Sequence, residues 1–473
     1  MNLLDISAVL LSLAAVFGFL NLKLLKLPNA IGIMLLALIA SLVIIFFGRE
    51  WPQGVEWANN FVGSIEFDTT VMEVMLSFLL FAGALHVNLD HLREQKGLVL
   101  LLATVGLLIS TAIVGGVSFY LFQLFGVNVP LAWCFVFGSL ISPTDPVAVL
   151  GILKTAGVPK SLETKITGES LFNDGVAVVL YLVLVGIAAG TGDTSAGHTA
   201  MLFLEEVGGG LALGFGLGLV GYFMLKSIDN YQVEILITLA LVTGGYQLCY
   251  MLHFSGPLAM VVAGLMIGNQ GRLMAMSDQT RKHLDLFWEL IDEILNALLF
   301  LLIGLEVFIL TWNQQYLLAG GAMIVLVLLA RFTAVSLPVY LLKKKREFTP
   351  GVRRILTWGG LRGGISVALA LALPKTGIAE GSREAILVAT YMVVIFSIAV
   401  QGLTLKPLVV RLAKKAADKA KPTLGVDEED LDRPITPKEA RTVQPEENSE
   451  VPLEAENRSS TIQKTPDEQV SED

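Results

Sequence analysis

The chain has 473 residues, of which 54% are hydrophobic and only 16% charged, with a mean hydropathy of +0.68. A soluble protein carries about 25% charged residues, so these totals exclude an ordinary soluble domain and point to a polytopic protein of the lipid bilayer. The formal net charge of −9 belongs to one end: residues 422–473 hold 15 acidic and 5 basic side chains, which leaves the rest near neutral and calls for no nucleic-acid partner.

The N-terminal MNLLD lacks a basic stretch, and the first positive charges, Lys23 and Lys26, follow the apolar run instead of preceding it. Residues 4–22 are therefore expected to stay as a first helix and not to be removed as a signal peptide. Apolar runs of about 20 residues are candidate spanning helices. They fall at 4–22, 28–48, 71–89, 97–125, 131–152, 162–189, 200–225, 231–252, 254–271, 285–310, 316–342, 353–374 and 384–412, thirteen in all. Gly256-Pro257 is the turn signal that parts the eighth from the ninth. Cys134 and Cys249 lie far apart in apolar surroundings, with neither a disulfide framework nor zinc spacing.

Charge alternation supports the count. With an outside N-terminus, one side collects Lys23, Lys26, Arg93, Lys96, Lys154, Lys160, Lys165, Lys226, Arg272, Arg281, Lys282, the run KKKR at 343–346, Arg353, Arg354 and the cluster from Arg411 to Lys421. The other side holds Arg49, Lys375 and Arg383. By the positive-inside rule the C-terminus is cytoplasmic, and a cell (inner) membrane is the expected location. Residues 1–415 form the expected transmembrane domain. Residues 416–473, acidic and poor in large apolar side chains, form an expected disordered tail.

Two segments carry faults. The fifth contains Pro143-Thr144-Asp145-Pro146, where two prolines within four residues interrupt a helix. The twelfth contains Gly359-Gly360-Leu361-Arg362-Gly363-Gly364. An offset of seven spans puts the two in opposite orientations, as an inverted repeat requires, and paired interruptions mark a transporter's midplane site. The sixth segment supplies side chains to that site. Ser170 and Asp174 are four apart and share one helix face, and Glu169 and Asn173 share the adjacent one. Carboxylates at the centre of a membrane helix cost about 2.5–3.5 kcal/mol and so mark ion or proton paths. Glu169 needs a cationic partner, and Arg362 is the expected one.

SPTDP, GESLFNDG and GGLRGG together resemble the NhaP type of the first monovalent cation:proton antiporter branch, over about residues 4–412. The resemblance implies an all-α fold of about thirteen spans in inverted repeats with two interrupted crossing helices. It also implies a homodimer and the electroneutral exchange of one sodium (or lithium) for one proton. It makes Asp174 the carboxylate shared by cation and proton, with Ser170, Thr144 and Asp145 around it. Sodium would be held by Asp174, Ser170 and Thr144. It assigns Glu169 and Arg362 to an ion pair and Asn173 to tying the broken helix to this cluster. One position departs: several relatives carry FEGAL in the third helix where this chain has FAGALH, so Ala82 stands in place of an acid.

No cofactor is expected beyond the transported sodium and protons. Nothing resembling a Ser/His/Asp grouping, HExxH or a phosphate loop suggests an enzyme. The alternatives are a potassium/proton antiporter, for which the ligand types are the same, and a cation channel, for which the repeated pore loops are missing. Asp292 and Glu293 read as interfacial, and Glu306 has no place in this reading.

Overall fold

In lipid the backbone must satisfy its own polar groups, and a long apolar run does so by closing i→i−4 hydrogen bonds within a helix. The computed structural model describes residues 3–47, 52–63, 65, 75–146, 149, 160–190, 196–310, 313–342, 351–374 and 377–420, and among these the regular elements are all helical. The α-helices of seven residues or more are, in chain order, α1 (Leu3–Leu20), α2 (Asn29–Phe46), α3 (Pro52–Gly63), α4 (Leu76–Leu85), α5 (Leu89–Leu101), α6 (Leu107–Leu124), α7 (Leu131–Ile141), α8 (Lys160–Ala188) and α9 (Ala196–Lys226). There follow α10 (Tyr231–Met251), α11 (Gly256–Met266), α12 (Asp278–Leu305), α13 (Gln314–Leu342), α14 (Val352–Trp358), α15 (Gly364–Leu371), α16 (Ser382–Phe396) and α17 (Leu403–Ala420). Wider π turns at Leu102–Gly106 and Ser397–Gly402 carry α5 into α6 and α16 into α17.

Each expected apolar segment contains a helix. Among the described residues eight helices are long and apolar enough to cross a membrane, and Leu76–Leu85 and Leu131–Ile141 are shorter apolar ones. The Gly256-Pro257 turn falls where the sequence placed it: Ser255 caps α11 by accepting the Leu258 amide at 3.4 Å, with proline in the first turn. Both interruptions are present. α7 stops at Ile141 and residues 143–146 have no regular structure, and α14 and α15 are parted at 360–363. Two features differ from the sequence reading. α3 was not expected, because a twelve-residue amphipathic helix falls below a membrane-length window. α5 and α12 also begin well before their apolar runs. Their first turns carry Asp90, Arg93, Glu94, Asp278, Arg281 and Asp285, which a hydropathy scan passes over although the helix continues through them.

The helices sort into two bundles. α1, α2, α4, α9, α10, α11 and α12 pack on one another, and so do α5, α6, α7, α8, α13, α15 and α16. Within the second bundle α6 and α7 approach closely, because a side chain at Gly138 would meet the Thr111 carbonyl at 2.5 Å. Along the seam between bundles, apolar side chains of the first rest on glycines of the second: Leu258 on Gly175, Leu299 on Gly364 and Ile31 on Gly402. By internal contacts Met1–Asp418 and Lys419–Asp473 form separate units. Residues 421–473, with most of the expected tail, lie outside the described residues, as do Arg49, Lys154, the run at 343–346 and Lys375.

The link from α4 to α5 passes from one bundle to the other, and Asn269, just beyond α11, pins it. Its Oδ1 accepts the Leu89 amide at 2.9 Å, and its Nδ2 donates to the Val87 carbonyl at 2.9 Å and to Leu265 O at 2.8 Å. Each such bond contributes about 0.5–1.5 kcal/mol, and orphaning its partner costs about 1–3 kcal/mol. Asn269→Ala is therefore expected to destabilise the protein by about 2 kcal/mol, read as a lower midpoint in thermal unfolding of the detergent-solubilised chain.

Candidate functional site

The site begins as a backbone problem. A helix that ends inside the membrane leaves up to four carbonyls without intrahelical partners, and two helices do so here. α7 ends at Ile141 under Pro143, which cannot donate. Arg362, from the other interruption, donates through Nη1 to the carbonyls of Ser142 and of Pro143, the latter at 2.7 Å. α14 ends at Trp358, where Arg331 of α13 donates to the Leu356 carbonyl at 3.1 Å and Gln401 to the Trp358 carbonyl at 3.1 Å. Each broken helix thus has its inner C-terminus met by a guanidinium, the charge that the negative end of a helix dipole favours.

The two broken segments cross and bond directly. The Asp145 amide donates to the Leu361 carbonyl at 2.8 Å, and the Arg362 amide donates to Ser397 Oγ at 2.9 Å in the π turn after α16. Glycine is required at the crossing. A side chain at Gly363 would overlap the Asp145 carboxyl group, and one at Gly360 would overlap the Arg331 guanidinium. The glycines of GGLRGG therefore make room for two charged side chains.

α8 passes this crossing and presents the expected residues. Thr144 Oγ1 and Ser170 Oγ are 2.9 Å apart; Asn173 Nδ2 donates to Thr144 Oγ1 at 2.9 Å, and Asn173 Oδ1 accepts the Thr144 amide at 3.4 Å. Asn173 thus ties the unwound strand to α8. Thr144, Glu169, Ser170, Asn173, Asp174 and Arg362 are all buried, between 1% and 4% exposed, while Asp145 is half-buried. Asp174 lies within electrostatic reach of both Asp145 and Arg362, and its Oδ1 is buried without a hydrogen-bond partner among the described residues. Such an orphaned carboxylate oxygen is costly to maintain. It lies one turn along α8 from Ser170, whose hydroxyl meets that of Thr144, and such hard oxygen donors suit a proton or a small cation.

The partner expected for Glu169 is corrected. Glu169 pairs with Arg331, whose Nη1 and Nη2 reach its two carboxylate oxygens in a fork, the second at 3.0 Å. Arg362 is drawn instead to the carbonyls of the broken helix, which lie closer to it and need a donor. The signal for Arg331 was in the sequence: one arginine in the middle of the apolar run LLARFTAV meets the same test that singled out Arg362. Ser397 and Gln401 were also missed, because hydroxyls and amides inside apolar helices are common and their role here depends on the crossing. Ala82 is buried, and the exposed His86 bonds to its carbonyl at 2.8 Å. Glu306, 2% exposed at the end of α12, interacts with Tyr391 of α16, apart from the residues gathered at the crossing.

Residues 9–411 match the family described as sodium/hydrogen exchanger, transmembrane. The Na(+)/H(+) antiporter NhaP of Pseudomonas aeruginosa is 47% identical over 415 residues, 87% of this chain and 97% of that protein. The Na(+)/H(+) antiporter NhaH of Halobacillus aidingensis is 36% identical over 82% of this chain and 93% of its own length. The chain belongs to the sodium/hydrogen exchanger family. Its fold is shared with the sodium proton antiporter MjNhaP1 from Methanocaldococcus jannaschii, solved at pH 8, with a TM-score of 0.68 at 20% identity over 87% of this chain and 99% of that one.

Removing one partner of a buried ion pair leaves the other uncompensated, at a cost of about 3–5 kcal/mol, whereas replacing both by apolar groups is often neutral. Glu169→Leu and Arg331→Leu are each expected to lower the thermal unfolding midpoint sharply. The double variant is expected to recover part of the loss in the same assay.

Proposed function

We propose that the protein is a secondary transporter that exchanges sodium or lithium for protons, one for one and without net charge, by alternating access. Proton and cation compete for Asp174. The observation that carries this reading is the Asp174 carboxylate, buried at the crossing of two interrupted helices with one oxygen unpartnered. A charged carboxylate in that setting is expensive unless something neutralises it. A bound proton does so, and so does a bound cation. The state carrying neither is the one that pays the full desolvation cost, which couples the two fluxes.

Ser170 and Thr144 join Asp174 as sodium ligands. Asp145, whose carboxyl group lies against Gly363 beside the start of α15, adds negative charge that draws cations in. Glu169, Arg331, Arg362 and Asn173 hold the crossing together. The curated relatives named as Na(+)/H(+) antiporters support sodium as the cargo. A homodimer in a cell membrane, with the N-terminus outside and an acidic cytoplasmic tail after residue 415, completes the reading. The orientation rests on the basic residues gathered on one side of the expected spans, and the homodimer on the family resemblance.

The test uses inside-out vesicles carrying a respiration-driven pH gradient. Sodium added to wild-type vesicles is expected to dissipate the gradient. Asp174→Asn removes the titrating oxygen at nearly constant volume and is expected to abolish the response. A wild-type rate in Asp174→Asn refutes the assignment.

A further inference from the structure

The second bundle holds the crossing, but one wall of the site belongs to the first. Leu299 of α12 rests on Gly364 at the start of α15; a Cβ there would lie 2.5 Å from its methyl groups. The adjoining residue, Gly363, is the one that the Asp145 carboxyl group faces. α12 therefore passes within one residue of the site. Asn296 is one turn before Leu299 on the same face, displaced by about 4.5 Å along the axis. In the expected topology α12 and the twelfth segment run in the same direction, so this displacement brings Asn296 level with the crossing.

Asn296 is 4% exposed, and both its Oδ1 and its Nδ2 lack hydrogen-bond partners among the described residues. A buried amide in that state costs about 1–3 kcal/mol for each orphaned group. A leucine of nearly the same size would avoid that cost entirely. Asp292 lies one further turn toward the beginning of α12, on the same face as Asn296 and half-buried. A half-buried carboxylate and a buried amide thus share the face of α12 that packs at Gly364, next to the residue the Asp145 carboxyl group faces. Such oxygen donors suit a hard monovalent cation.

We propose that Asp292 and Asn296 form an approach site for the transported monovalent cation, on the wall facing the crossing. The cation pauses there, held by a carboxylate and an amide oxygen, before it reaches Asp174. Asn296 is the side chain that hands it over. This rests on the reading of the chain as a cation exchanger.

The experiment titrates sodium in the vesicle assay for wild type, Asn296→Leu and Asp292→Asn, and adds a thiol probe in a Cys134→Ser/Cys249→Ser background, both native cysteines being buried. Loss of one oxygen donor worth about 1 kcal/mol raises the half-saturating sodium about fivefold, with the maximal rate little changed. The Asn296→Cys thiol is expected to react with a small, charged, membrane-impermeant methanethiosulfonate, more slowly in sodium than in choline. A residue that merely packs would alter stability or maximal rate but neither sodium affinity nor sodium protection.

Half-saturating sodium within about twofold of wild type in both variants, or a thiol that resists the probe from either side of the membrane, overturns the proposal. If Asn296→Leu fails to reach the membrane, the thiol probe decides alone. A wild-type chain that gives no sodium response refutes the exchanger reading itself, and the approach site falls with it. A responding wild type with unaltered variants refutes only the approach site.

Discussion

Everything around the crossing follows from one requirement: a helix that stops in the middle of a membrane must find donors for its last carbonyls. The chain meets it with two arginines. Arg362 takes the carbonyls of Ser142 and Pro143 left open where α7 ends, and Arg331 takes a carbonyl at the end of α14. Each then brings a charge into an apolar interior, and that charge has to be matched. Glu169 matches Arg331 in a two-pronged pair. Arg362 has both Glu169 and Asp174 within electrostatic reach. The carboxylates follow from the arginines, and the arginines from the broken helices.

The same requirement explains the glycines. Two extended segments can cross and exchange the Asp145–Leu361 bond only where side chains do not hold them apart. Gly360 and Gly363 leave room for Arg331 and Asp145 respectively. Farther out, Gly175, Gly364 and Gly402 accept apolar side chains from the other bundle. Those seam contacts are dispersive and lack directional bonds, so little is lost if one bundle shifts against the other. Asn269 is a directional exception, and it sits on the chain link between bundles. A hydrogen-bonded crossing on one side of a seam of apolar contacts suits the alternating access proposed for this chain.

Much of this was legible in the chain, where the chemistry is local. Proline removes a donor wherever it stands, so Pro143 and Pro146 announced the break in α7, and four glycines around Arg362 announced the other. The spacing of Glu169, Ser170, Asn173 and Asp174 announced their faces on α8. What could not be read was pairing. Arg331 and Arg362 are each a lone cation in an apolar run, and only the path of the backbone decides which meets Glu169 and which meets the carbonyls of Ser142 and Pro143. Asn296 was invisible for a similar reason: one amide in a long helix has no meaning until Leu299 is found lying on Gly364. Helix starts at Leu89 and Asp278 escaped because hydropathy reports where lipid contact begins, whereas the helix itself runs on into water.

The central claim is that Asp174 holds a proton or a cation but not both. The measurement that tests it most directly is half-saturating sodium as a function of pH on the side where sodium binds. Competition at one carboxylate predicts that it falls as pH rises, approaching about tenfold per unit where the proton-bound form predominates, while the maximal rate stays level. Half-saturating sodium that stays constant across that range would contradict the claim, because cation and proton would then occupy separate sites.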